Sequence, residues 1–472
     1  MTGRDGTWRE LEHAVGGAVV RPGDAVYHSA RRPAIARFRD ARPAAVVRCR
    51  TPADVAATIA FARRAGLELA ARSGGHCFAG GSSTDGIVVD VGPMDAVTVD
   101  GDFATVGAGT RLGALYDVLD AHGRTIPAGC GPRVGIAGLT LGGGVGILGR
   151  AHGLTCDALL GAEVVLADGS VAGTDAERDA DLFWALRGAG AGGFGIVTAL
   201  RFRTLPAPLA TRIRAVWPAG AAADVIAAWQ DWSPEAPRAM AASLLVAAPA
   251  DAAAPPVATV AGAFAGPEAD ARRLLESLAA AVGTPPSALV LEHASLRETK
   301  RALADTGGAK DPLERDHVVA RSEFFARPLP DAPVQALVGH VAAERRPGEA
   351  RELDFAPWGG AYTDVAAGAT AFAHRDARVL LKHAVAVDID ADAGAVAAAR
   401  DWLERSFAIV HPFGTGGVYP NFPEAGLEDR ARAYHRGNLE RLVAIRQRYD
   451  PDDVFGGPQA IPNRASATAP IG

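Results

Sequence analysis

Short apolar runs separated by amphipathic stretches dominate the first two hundred residues, and they predict alternating strands and helices. Residues 44–48 (Ala-Ala-Val-Val-Arg) read as a strand. Thr51-Pro52 then caps a helix that runs to about Ala65, with proline at the first helical position and Gly66 ending it. A strand at 67–71 completes a βαβ unit, and 87–91 and 104–108 read as two further strands. Arg111 to Ala121 reads as a helix with apolar residues at Leu112, Leu115, Val118 and Leu119. Strands recur at 162–167, before the turn Asp168-Gly169, and at 195–202.

The pattern changes around Pro206-Ala207-Pro208. Beyond it, strand signals at 211–217, 241–248, 257–264 and 379–388 alternate with helix signals at 221–232, 267–282, 332–344 and 391–405. This succession predicts an antiparallel sheet with helices on one face, and hence an α+β domain. The Pro/Ala/Asp stretch 249–256 is expected as a loop. A helix at 436–447 followed by Tyr449-Asp450-Pro451-Asp452-Asp453-Val454-Phe455 closes the chain in the style of its beginning, so we expect it to pack back there. The expected division is 1–206, 207–411 and a returning segment 412–472. A chain of 472 residues is too long for one ordinary core, which agrees with that division.

Composition removes several classes of function. Apolar residues make up 49% and charged residues 22%, as in soluble globular proteins. The net charge of −6, with no basic block, argues against nucleic acid or an anionic membrane as partner. No run approaches a membrane span. The first fifteen residues carry charges throughout and have no apolar signal region, so cytoplasmic residence is the expectation. Cys49, Cys77, Cys130 and Cys156 are too few and scattered for a disulfide framework or a zinc pair, and no metal is expected.

Three glycine clusters carry the candidate chemistry. The first, Arg72-Ser73-Gly74-Gly75-His76, is followed by Ala79-Gly80-Gly81-Ser82-Ser83. Such turns let backbone N–H groups converge on an anion such as a pyrophosphate, with His76 beside it. The second runs from Val134 to Gly146 and the third from Gly188 to Val197. The second does not follow a strand and open a helix as G-x-G-x-x-G, which weakens a nicotinamide reading, and the third precedes a strand. One cluster alone reads as turns, and His76 alone as a core histidine. Three in one region read as a flat or charged ligand pressed on bare main chain.

Further motifs extend along the chain: Gly138-Leu139-Thr140-Leu141-Gly142-Gly143-Gly144, Gly153-Leu154-Thr155-Cys156-Asp157, and Asp181-Leu182-Phe183-Trp184-Ala185-Leu186-Arg187-Gly188. They continue with Trp358-Gly359-Gly360-Ala361, Tyr419-Pro420-Asn421-Phe422 and Tyr449-Asp450-Pro451 through Phe455. With the first cluster, they make the chain resemble FAD-linked oxidases of the berberine-bridge-enzyme type, within the vanillyl-alcohol-oxidase (PCMH-type) superfamily. The resemblance implies a two-subdomain FAD-binding domain plus an α+β substrate domain with an antiparallel sheet. It implies FAD bonded through its 8α-methyl group to His76. The residues it assigns to the cofactor are Arg72, Ser73, Gly74, Gly75, Cys77 and Ser82, then Val134, Gly135, Gly138, Thr140, Gly142, Gly143, Gly144 and Gly146, and finally Ile196 and Val197. A histidine substituent withdraws electrons from the ring and prevents loss of the cofactor.

Many relatives carry a second link, from a cysteine in Gly-x-Cys-Pro-x-Val-Gly. Here Gly131 occupies the linking position and Cys130 stands one residue early. Attachment through His76 alone is the expectation, with a Cys130 thioether as the alternative. Cys77 reads as a packing residue, and His152 stands where relatives often have tyrosine, so it is expected to alter flavin contacts. The resemblance makes Tyr419 the candidate base, with Asn421 positioning it and Tyr362 lining the same pocket. The other reading of Tyr419 is a buried tyrosine with a satisfied hydroxyl. His374-Arg375 and Lys382-His383 read as structural. The implied reaction passes a hydride from an alcohol or amine carbon of a small secondary metabolite to FAD, and dioxygen then gives hydrogen peroxide. The alternatives are a carbohydrate oxidase, a flavoprotein that sequesters a drug, and a dehydrogenase with a quinone-like acceptor.

Overall fold

The first apolar runs assemble into a four-stranded sheet in the order Ala18–Val20, Ala45–Arg48, Ile87–Asp90, Leu69–Arg72. The computed structural model describes residues 2–304, 312–424, 426–427 and 429–463. The outer pair of this sheet is antiparallel and the other two pairs are parallel. Ala45–Val47 and Ile87–Val89 are wholly buried, as strands covered on both faces must be, which is why they read as unbroken apolar runs. The helix Pro52–Ala65 crosses over between Ala45–Arg48 and Leu69–Arg72, which flank Ile87–Asp90 rather than each other. Thr51 Oγ1 accepts from the Asp54 N–H at 3.2 Å, and Gly66 ends the helix at φ 63°.

A second sheet is antiparallel throughout, in the order Val97–Asp100, Phe103–Gly107, Ile196–Arg203, Leu159–Val165, Val171–Asp175. One hydrophobic core joins these two sheets. Leu442, Ile445, Tyr449, Phe455 and Ile461 from the end of the chain belong to it as well.

The third sheet has seven antiparallel strands: Ala288–Ser295, Leu209–Trp217, Val257–Phe264, Met240–Ala248, Ala350–Pro357, Val379–Val387 and His317–Phe325. Its apolar face, with Ile213, Ala215, Leu244, Leu353 and Leu381, packs under the helices Ala222–Glu235, Glu268–Val282, Asp331–Ala342 and Ala393–Val410. Its other face turns toward the first unit, where Phe324 and Leu380 share a small core with Leu154, Cys156 and Tyr419. The fold is α+β.

Three of the seven strands have no counterpart among the sequence-based expectations. Ala288–Ser295 is a half-exposed edge strand with little apolar contrast. His317–Phe325 and Ala350–Pro357 bury charged residues: Glu323 is fully buried, and the Arg351–Glu349 ion pair at 2.6 Å lies inside. Paired charges in the core erase the apolar/polar alternation by which strands are read.

Two arginines fasten the units together. Arg150 donates to the carbonyls of Pro234, Ala236 and Met240 at 2.8, 3.1 and 2.7 Å. Arg375 pairs with both oxygens of Asp157 at 2.8 and 2.7 Å. Both are almost fully buried, so these partners are what make their charges tolerable.

Candidate active site

A cavity of about 390 Å³ opens where the first unit, the returning C-terminal segment and one turn of the third-sheet unit meet. Its first wall is the loop leaving the strand Leu69–Arg72. Arg72 belongs to this wall. Its guanidinium donates to the carbonyls of Ser82, Ala30 and Arg31 at 2.9, 2.7 and 3.0 Å and to Ser83 Oγ at 3.0 Å, bracing the two glycine turns against each other. Burial lowers this group to about 10. Ser73 donates to the Ala108 carbonyl at 2.6 Å. Cys77 Sγ accepts from the Gly81 N–H at 3.3 Å, and burial pushes its thiol up. His76 Nδ1 lies 3.0 Å from the Gly74 carbonyl, and Nε2 lies 3.6 Å from Glu314 Oε1.

The second glycine cluster divides its work. Val134, Gly135 and Gly138 line the cavity, and Gly135 meets Gly74 so closely that a Cβ on either would strike the other's backbone nitrogen. Only glycine permits that approach. A Cβ at Gly138 would meet nothing within 4 Å, because this glycine faces the cavity itself. Thr140, Gly142, Gly143, Gly144 and Gly146 lie behind the wall. Thr140 Oγ1 donates to the Ile136 carbonyl at 2.8 Å. A Cβ at Gly142 would collide with Asn421, and one at Gly143 with Phe372. Gly144 donates its N–H to Tyr419 Oη at 3.1 Å.

The third cluster, from Gly190 through Gly195, and then Ile196 and Val197 also line the cavity. Tyr419, Asn421 and Phe422 line it as well. Asn421 Nδ2 donates both to the Leu139 carbonyl at 2.8 Å and to Tyr419 Oη at 3.1 Å. Two donors therefore converge on the phenol oxygen and favour its charged form. Burial opposes them and is the larger effect, so the phenol is pushed well up.

Cys130, His152 and Tyr362 do not reach the wall. Cys130 sits by the buried Lys300, whose ammonium lies 3.5 Å from the Tyr116 ring centre and 3.5 Å from the Ile126 carbonyl. Burial lowers that amine to about 7. His152 ends the one-turn helix Gly149–His152. Tyr362 stands one layer back, stacked on Trp358 at 4.6 Å, and its hydroxyl donates to the Gly146 carbonyl at 3.3 Å. His374 and His383 are buried and bonded to the Tyr434 carbonyl at 2.9 Å and Ser406 Oγ at 2.8 Å.

Several wall residues escaped the reading of the sequence. Gln459, whose amide donates to the Pro420 carbonyl at 2.6 Å, carries no motif. Phe78 stacks on Phe422 at 5.4 Å. Leu313 and its neighbour Glu314 come from a charged stretch with no pattern at all.

The family described as FAD binding domain matches residues 43–175, and the one described as berberine and berberine like matches residues 418–462. Glucooligosaccharide oxidase of Sarocladium strictum is 32% identical over 88% of this chain and 87% of its own length. The chain belongs to the berberine-bridge-like FAD-linked oxidases. The FAD-linked oxidoreductase YgaK of Bacillus subtilis is 29% identical over 94% of this chain and 97% of its own. A solved glucooligosaccharide oxidase from Acremonium strictum, described as carrying a 6-S-cysteinyl, 8α-N1-histidyl FAD, superposes with a TM-score of 0.87 at 29% identity, covering 97% of this chain and 99% of that one. This berberine-bridge-like member is thus an FAD-dependent oxidoreductase. FAD fits the cavity's chemistry: glycines line its wall, Gly138 has open space where a Cβ would stand, and the imidazole of His76 is among the lining groups.

Proposed function

We propose that the chain is an oxidase that takes a hydride from an alcohol or amine carbon of a small metabolite. Its FAD is attached through His76 alone and reoxidised by dioxygen, giving hydrogen peroxide. The single observation that supports this reading is that the bonded Tyr419–Asn421 pair and His76 line one glycine-walled cavity. Bound FAD supplies the hydride acceptor. As phenolate, Tyr419 accepts the substrate's proton, and the Gly144 N–H and the Asn421 amide hold the negative charge on its oxygen until that proton arrives. Cys130 packs outside the wall, beside Lys300, which supports a single attachment.

A hydroxyl-rich carbohydrate is the second substrate reading. The sheet face beside Phe422 supports it: Lys382 lies 5.5 Å from the Phe422 ring and pairs with Glu352 and Asp354 at 3.0 and 3.3 Å. Such a charged patch offers hydrogen bonds to sugar hydroxyls. The likeness to a glucooligosaccharide oxidase supports it too.

The test is to mix the purified yellow protein, without oxygen, with oligosaccharides, aryl alcohols and amines, and then to admit air. Bleaching of the flavin followed by return of colour and stoichiometric peroxide is expected for one of these classes. Bleaching that persists in air would replace the oxidase by a dehydrogenase. A tightly bound compound that never bleaches the flavin would favour sequestration.

A further inference from the structure

A carboxylate beside His76 has no part in the oxidation described above. Glu314 lies on the single turn Pro312–Arg315, next to Leu313 in the cavity wall. Its two oxygens are divided between two partners. Oε1 is 3.6 Å from His76 Nε2, and Oε2 pairs with the guanidinium of Arg133, the residue just before Val134 and Gly135 in the wall. The carboxylate is only 11% exposed and the imidazole 13%. Sheltered from water, a charge there acts on the ring far more strongly than an exposed ion pair would.

We propose that Glu314 is a positioning residue for the attachment of FAD to His76, holding the imidazole proton on Nε2 so that Nδ1 presents its lone pair. This rests on the proposed attachment through His76. A neutral imidazole has one N–H and one lone pair, and only the latter can form the new bond. The Gly74 carbonyl, 3.0 Å from Nδ1, favours the opposite tautomer. At 3.6 Å the carboxylate acts on the ring through its charge and not through a hydrogen bond, and that charge, sheltered from water, favours the tautomer with its proton on Nε2. As Nδ1 bonds, the ring acquires a full positive charge, which Glu314 balances before taking the Nε2 proton.

In the whole step, one C–H bond of the 8α-methyl group and one imidazole N–H bond break, and one C–N bond forms. Two protons leave, one of them to Glu314, and an electron pair stays on the flavin. Dioxygen, the oxidant of the proposed reaction, takes that pair and two protons as hydrogen peroxide.

The test uses the full chain produced under riboflavin limitation, mixed with FAD, and quenched in acid at intervals. Flavin in the pellet is attached; flavin in the supernatant was merely bound. Glu314→Gln is expected to bind FAD yet to attach it ~10²-fold more slowly, the scale of a lost proton acceptor. Glu314→Asp should recover most of the rate, and added formate should restore Glu314→Ala. Attachment by Glu314→Gln at the unaltered rate overturns the proposal and leaves the role of His76 standing. A rate loss that neither formate nor Glu314→Asp restores also overturns it, since a displaced loop behaves that way. Pelleted flavin in His76→Ala, or none in the unaltered chain, overturns both this proposal and the attachment on which it rests.

Discussion

Tyr419 shows how one side chain is pulled two ways. The Gly144 N–H and the Asn421 amide both point at its oxygen, which stabilises a phenolate, while near-complete burial withdraws the water that would solvate it. Burial wins, so its phenol titrates above the ordinary value of 10.0. A base whose active form is the deprotonated one then gains strength as pH rises. Flavin reduction should climb steadily across roughly pH 7 to 10, with no plateau below the ordinary tyrosine range. Tyr419→Phe should slow reduction by on the order of 10²-fold and flatten that slope. Stopped-flow reduction at several pH values checks both, and a pH-independent rate in the unaltered protein would remove Tyr419 from the base role. Cys130 is the contrasting case. Its thiol is pushed up by burial and packs away from the cavity, so Cys130→Ala should leave the flavin's absorption spectrum and attachment unchanged. A shift of the main visible band would point to a second bond.

At the scale of elements, the loop from Arg72 to Ser83 depends on the brace that Arg72 provides. Arg72→Ala removes four hydrogen bonds and leaves the buried carbonyls of Ser82 and Arg31, and the half-buried one of Ala30, without that donor. Each such group left unsatisfied costs about 1–3 kcal/mol. Thermal unfolding should therefore move down by several degrees, and the loosened His76 loop should attach less flavin per chain, measured by acid precipitation. The strands and helices with unmixed patterns were legible from the chain alone: the Thr51–Gly66 helix carries its caps in its letters, and Ile87–Val89 its burial. The strands His317–Phe325 and Ala350–Pro357 were not, because each hides charge: Glu323 is paired with the distant His411, and Arg351 with its near neighbour Glu349. The site divides in the same way. Glycine loops announce close approach to a ligand, but spacing cannot say which ring faces a cavity. Tyr362 and His152 lie within the right motifs and yet stand behind the wall, whereas Gln459 and Leu313 reach it without any motif.

Over the whole molecule, the buried histidines set the expected response to acid. His374, His383 and His435 are each held to about 3 chiefly by burial, against an ordinary value of 6.5. Each has one ring nitrogen with no hydrogen-bond partner among the described residues, as a neutral ring with an unused lone pair would. Between those two values, the unfolded chain binds a proton at each histidine and the folded chain does not. Stability is therefore fully present above about pH 6.5 and falls as pH drops toward 3, by up to about 1.4 kcal/mol per unit for each ring. Glu323 and Glu424, raised by burial from 4.5, act in the opposite direction just above that value and offset part of the loss. The fall should therefore be clearest between about pH 6.5 and 5, where the histidines already titrate in the unfolded chain. His383→Gln retains a donor and acceptor for Ser406, loses the titration, and should give a visibly shallower decline of Tm with acid. Differential scanning calorimetry from pH 8 to 5 measures this. A flat Tm across that window would mean that these rings are protonated in the folded protein, and hence that the interior around His374 and the Tyr434 carbonyl admits charge.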